Sequence, residues 1–123
     1  TGCAFFTRTS ILKQVGLLAE PFFIYYEDTD LSFRIKNAGY ELIYHPDSIV
    51  YHIAGMAYRQ KKKGKEGIVS PFVHYLNTRN RIWFLKKYTK AQFVPSTVLY
   101  NLAYIFALLA YLVIRNRPQK IKA

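Results

Sequence analysis

Cysteine is almost missing from this chain of 123 residues: Cys3 stands alone in an apolar run. A single thiol excludes an internal disulfide and offers no metal-binding spacing, so Cys3 reads as buried and inert. Acidic residues are scarce as well, with seven carboxylates against eighteen Lys and Arg, a net charge of +11 and a pI near 9.8. That excess suits an anionic partner, whether nucleic acid, a nucleotide diphosphate or an acidic membrane surface, and does not choose among them. No signal peptide is visible. No initiating Met precedes Gly2-Cys3-Ala4-Phe5-Phe6-Thr7, which reads as a buried strand beginning at the first residue. The chain is therefore expected to be a piece of a longer protein.

Hydrophobic residues make up 51% of the chain and aromatics 17%, enough for a substantial core. After the first strand, Thr9 or Ser10 can cap a short helix carrying Ile11, Leu12 and Val15 at helical spacing, with Gly16 at its left-handed end. The aromatic run Phe22, Phe23, Tyr25 and Tyr26 reads as packing for a loop. A second helix is expected from Thr29 to Ala38, burying Leu31, Ile35 and Ala38 and stopping at Gly39. Tyr40 to Tyr44 and Ile49 to His52 read as two short strands joined by His45-Pro46-Asp47-Ser48.

Residues 54–69 are rich in Lys, Arg and Gly, which predicts a mobile basic loop. Ser70-Pro71 is an N-cap followed by proline at the first helical position, and a helix with Phe72, Tyr75, Leu76, Arg79 and Trp83 on one face is expected to run to about Tyr88. Charge is absent from Ala91 to Ile114. As a helix this stretch would span about 36 Å at ~1.5 Å per residue, enough for a ~30 Å hydrocarbon core. Basic residues flank it on both sides, so the positive-inside rule has no asymmetry to read, and Thr97, Asn101, Tyr104 and Tyr111 give it a polar stripe. Spanning the membrane and lying in its plane both fit. The expected organisation is residues 1–69, an amphipathic helix over 70–90, and a membrane-associated helix with a basic tail over 91–123.

The chemistry concentrates in Glu27, Asp28 and Asp30, three of the seven carboxylates within four positions. A helix start stabilises one such charge through its free N–H groups and dipole, but three repel one another unless a cation, a hydroxyl or Arg34 intervenes. Asp30 and Arg34 stand one turn apart, which allows an ion pair as well as substrate contact. His52 closes the second expected strand at the mouth of the basic loop.

The run Phe-Phe-x-Tyr-x-Glu-Asp-x-Asp-Leu-x-x-Arg, from Phe22 to Arg34, resembles the second half of the catalytic domain of family 2 glycosyltransferases, especially the rhamnosyltransferase-like members of bacterial surface polysaccharide synthesis. Thr1-Gly2-Cys3-Ala4-Phe5-Phe6 with Arg8, Val15-Gly16, Asn37-Ala38-Gly39-Tyr40, Pro46 with His52, and Tyr75 with Arg79-Asn80 follow in the family's order. Ala19 stands where the family has Asp, leaving Glu20 beside it. The resemblance covers roughly residues 1–82 and implies an α/β architecture, the C-terminal half of a GT-A fold, followed by C-terminal helices. It implies Asp28 as general base, Glu27 and Asp30 at the acceptor, and His52 as a ligand to Mg2+ or Mn2+ completed by an Asp-x-Asp outside this chain. Arg59 and Lys62 would meet the diphosphate of a nucleotide-diphosphate sugar, and the acceptor would be a saccharide or a lipid-linked one at the cytoplasmic face of the cell membrane. Two rival readings are a membrane-attached binding domain without activity and a nucleic-acid-binding module. The second is disfavoured because the basic residues are scattered over loop and tail with an acidic cluster between them.

Overall fold

A computed structural model describes residues 4–52, 59–64 and 67–122, the side chains of 59–64, 67 and 68 excepted. The chain divides into two compact units, residues 1–54 and 55–123. The α/β expectation is overturned: the described residues are predominantly helical, and their regular β structure is one antiparallel two-stranded ribbon. The strand-like segments at 4–7, 40–44 and 49–52 form no ladder among the described residues. β-branched and aromatic residues favour a pleated surface only when a neighbouring strand pairs with them, and here Ile43, Tyr44 and Tyr51 are exposed. Residues 1–3, with Cys3, lie outside the described residues.

In the first unit, helix α1 spans Thr9–Val15 and helix α2 spans Glu27–Asn37, with a short 3-10 turn at Glu20–Phe22 between them. Neither Thr9 nor Ser10 caps α1. Its N-cap is Arg8, which makes no side-chain cap. Gly16 ends α1 with φ 83° and ψ 154°, a region essentially closed to other residues. Helix α2 starts two residues earlier than its sequence suggests because Tyr26 adopts the left-handed conformation (φ 69°) and turns the chain into the helix. Phe23 and Tyr25 also have positive φ, at 61° and 68°, which is strained for bulky residues. The other end of α2 is a Schellman motif: Gly39, at φ 89°, donates to the Lys36 carbonyl at 3.1 Å and Tyr40 N–H donates to that of Ile35 at 3.2 Å. Among the described residues of this unit, Phe22, Leu31 and Ile35 are the buried apolar ones.

In the second unit, the segment expected as a mobile loop forms strands β1 (Arg59–Gly64) and β2 (Gly67–Val69), paired antiparallel. Helix α3 (Pro71–Tyr88) begins where Ser70-Pro71 predicts, with the Ser70 side chain accepting from Val73 N–H at 3.3 Å. Its inward face is not the aromatic one. Val73, Leu76 and Asn80 are buried, whereas Phe72, Tyr75 and Trp83 are exposed. The Arg79 guanidinium covers two of those aromatics, 4.3 Å from the Trp83 ring centre and 5.6 Å from that of Tyr75. A 3-10 turn at Ala91–Phe93 leads into helix α4 (Val94–Ile114), and Asn116, at φ 50°, reverses the chain into helix α5 (Pro118–Lys122). Helix α5 packs on both α3 and α4, burying Lys120 and Leu112.

Candidate functional site

The acidic cluster sits where its helix begins, and the three carboxylates have three different environments. Asp28 folds back on its own turn: Oδ1 accepts from Thr29 N–H at 2.7 Å and from Thr29 Oγ1 at 3.2 Å. The Ser32 hydroxyl donates to the Asp28 carbonyl at 2.8 Å and pins the first turn. Two open hollows flank this residue. One, of about 650 Å³, is lined by Asp28, Thr29, Ser32, Lys36 and Asn37 against the apolar Phe5, Phe33 and Leu42. The other, of about 640 Å³, is lined by Glu20, Glu27 and Asp28 against Phe5, Leu12, Leu17, Leu18 and Leu31. Asp28 and Phe5 border both.

Glu27 faces the second hollow, and its Oε2 is buried without a hydrogen-bond partner. A buried carboxylate oxygen left in that state is destabilising, and a donor entering the hollow would relieve it.

Asp30 is elsewhere. It is fully buried, and its Oδ2 accepts from Arg34 Nε at 2.8 Å, so the i,i+4 ion pair is the arrangement found. Arg34 then reaches back to the end of α1, where Nη1 donates to the carbonyls of Val15 (2.5 Å) and Gly16 (2.7 Å) and Nη2 to that of Leu17 (2.7 Å). One guanidinium therefore satisfies the last carbonyl of α1 and the two that follow it. The resemblance put Asp30 at the acceptor. In this structure that carboxylate has no exposed surface and is paired with Arg34. This carbonyl grip was hidden in the sequence because its partners lie 17 to 19 residues upstream.

His52 is exposed, and among the described residues no three of His, Cys, Asp and Glu gather into a cation site. A divalent ion on His52 would need its other ligands elsewhere, since one imidazole does not make a centre. The residues present therefore do not fit a metal on their own, and no chemical step is derived through one. Arg59 and Lys62 lie in β1, with side chains outside the described residues. Glu20 is the residue that sequence reasoning kept only in passing, and it lines the hollow beside Glu27.

No protein-family model matches this chain, and neither does any curated protein or solved structure.

Proposed function

We propose that this chain supplies the acceptor side of an inverting glycosyltransferase, which moves a sugar from a nucleotide-diphosphate donor to a saccharide or lipid-linked acceptor in bacterial surface polysaccharide synthesis at the cytoplasmic face of the membrane. The observation that carries the reading is the place of Asp28, on the border of two open hollows within the motif that resembles family 2. The first hollow offers hydroxyls, an amide and an ammonium to a polyol, with Phe33 and Phe5 for its apolar faces. In the proposed step Asp28 takes the proton of an acceptor hydroxyl as that oxygen bonds to the anomeric carbon of the donor. The bond from that carbon to the diphosphate breaks, the sugar inverts and the proton stays on the carboxylate. Glu27 receives a hydroxyl donor at its buried oxygen. Arg59 and Lys62 are assigned to the diphosphate by the sequence alone, and transfer is expected to need residues beyond this chain.

Asp28→Asn keeps size and the bonds from Thr29 but removes basicity. In the full-length protein it is expected to leave donor affinity in place and lower turnover by ~10²–10⁴-fold. A purely structural carboxylate at a helix start would instead cost about 0.5–2 kcal/mol of stability and little activity. An Asp28→Asn protein that melts early and still turns over at the parent rate removes Asp28 from the chemistry. A second reading, a membrane-attached binding domain without transfer, draws on the exposed apolar surface of α4, and lipid binding with no sugar transfer by the intact protein would favour it.

A further inference from the structure

Residues Ala91–Ile114 are long and apolar enough to cross a membrane, and very little of the stretch is buried. What α4 is fastened to decides how it can meet lipid. Helices α3 and α4 are antiparallel neighbours: the short turn at Ala91–Phe93 joins the end of α3 to the start of α4, while α5, just beyond the end of α4, packs near the start of α3. Midway along both helices, Arg81 of α3 donates from Nε to Asn101 Oδ1 of α4 at 3.1 Å. Its guanidinium also lies 3.9 Å from the ring centre of Tyr104 and 5.6 Å from that of Tyr100. Tyr104 is near the midpoint of α4. Were α4 to cross a bilayer with α3 alongside, Arg81 would be held at the hydrocarbon centre with Arg79 close by, where guanidinium groups are costly.

We infer that α4 lies in the plane of an anionic membrane surface, its outer face in the acyl chains and α3 on the water side. Leu99, Phe106 and Val113 recur at i, i+7 and i+14, and each is more than half exposed, with Phe106 at 76%. Thr97, Asn101 and Tyr104 belong to the opposite face, and Asn101 and Tyr104 are engaged by Arg81. The helix is therefore amphipathic in the assembled unit although its sequence carries no charge. The basic residues agree with this placement. Lys86, Lys87 and Lys90 precede α4, and Arg115, Arg117 and Lys122 follow it. A spanning helix would put these groups on opposite sides of the bilayer, whereas an in-plane helix brings both to one layer of anionic headgroups, where each adds to binding.

The inference rests on the membrane location proposed above, and its test separates the two. The full chain, as Cys3→Ser with Gln92→Cys or Ile121→Cys, is added to preformed vesicles of phosphatidylcholine with or without phosphatidylglycerol, then treated from outside with a membrane-impermeant maleimide. Both ends of α4 are expected to label as they do in detergent. Binding should be at least about tenfold tighter on the anionic vesicles and weaken with salt. Phe106→Asp should reduce that binding by about tenfold or more, Phe106→Leu should not, and circular dichroism of both variants should match the parent. Bound protein with one end protected until the vesicles are permeabilised overturns the in-plane placement and leaves the membrane location standing. Absence of binding to either vesicle, or a stable dimer that ignores lipid, overturns both and leaves the Asp28 experiment untouched.

Discussion

Arg34 in the first unit and Arg81 in the second each bridge two helices, but they use different parts of the guanidinium. Arg34 works through its edge: its donors all meet oxygen, a buried carboxylate on one side and three backbone carbonyls on the other. Arg81 works largely through its face, lying against two tyrosine rings with one amide hydrogen bond to set its direction. An edge-bonded guanidinium fixes its partners to within tenths of an ångström and fails abruptly when one is lost. A stacked one is tolerant of small shifts. Arg34 holds the α1 terminus against α2 beside the hollow that Glu27 and Asp28 line, whereas α3 and α4, which Arg81 links, line an apolar groove of about 390 Å³ that includes Leu85, Val98 and Leu102.

The sharpest way to break this comparison is Asp30→Ala, which leaves the Arg34 charge without its buried partner. A loss of about 3–5 kcal/mol is expected, seen as faster amide exchange through α1 and α2 in the intact chain. A loss below about 1 kcal/mol would mean that the three carbonyls hold the arginine by themselves. Next in size is Arg81→Leu, which should cost the second unit about 1–2 kcal/mol while keeping much of the apolar bulk between the helices. Arg81→Lys should recover part of the stacking. If the leucine and lysine proteins exchange alike, the face of the guanidinium contributes nothing and the contrast with Arg34 is lost.

The smallest effect concerns His74, where α5 meets α3. Burial, aided by the positive charges of Lys120 and Arg117, lowers its pKa from the ordinary value of 6.5. The unfolded chain therefore takes up the proton first on acidification. The stability gained from a neutral His74 is complete above pH 6.5 and declines as pH falls from there through the lowered pKa. His74→Gln should flatten that slope in melting temperature against pH. An unchanged slope would assign it to other groups.

Local signals in the sequence were reliable where neighbours alone decide the structure. Ser70-Pro71 marked the start of α3, Gly39 stopped α2, and the spacing of Asp30 and Arg34 allowed the ion pair that forms. Two local signals missed, the cap of α1 and the start of α2, which Arg8 and the left-handed Tyr26 set instead; the larger failures depended on partners far along the chain. The strands expected at 40–44 and 49–52 needed a pairing edge that the described residues do not supply, so propensity had nothing to act on. Which face of α3 turns inward could not be read from the sequence, because its largest aromatics are outside, Tyr75 and Trp83 gathered by Arg79, while Val73, Leu76 and Asn80 pack within. In the candidate site, Asp28 and Glu27 could be picked out from their crowding. That Asp30 turns inward while its neighbours border the hollows follows only from the reach of Arg34 back to Val15, Gly16 and Leu17.

A change at any one of Gly16, Asp30 and Arg34 bears on the others. A side chain at Gly16 would place its Cβ 3.1 Å from Arg34 Nη1, on a backbone whose φ of 83° already disfavours one. Removing Arg34 would take the ion-pair partner from a buried Asp30, and a lysine has no planar fork with which to reach a carboxylate and three carbonyls together. The three positions are thus expected to behave as a single inherited character. Among descendants of this sequence they should be kept as a set or exchanged as a set, with a neutral residue at 30 appearing only where 34 is no longer arginine and 16 is released from glycine.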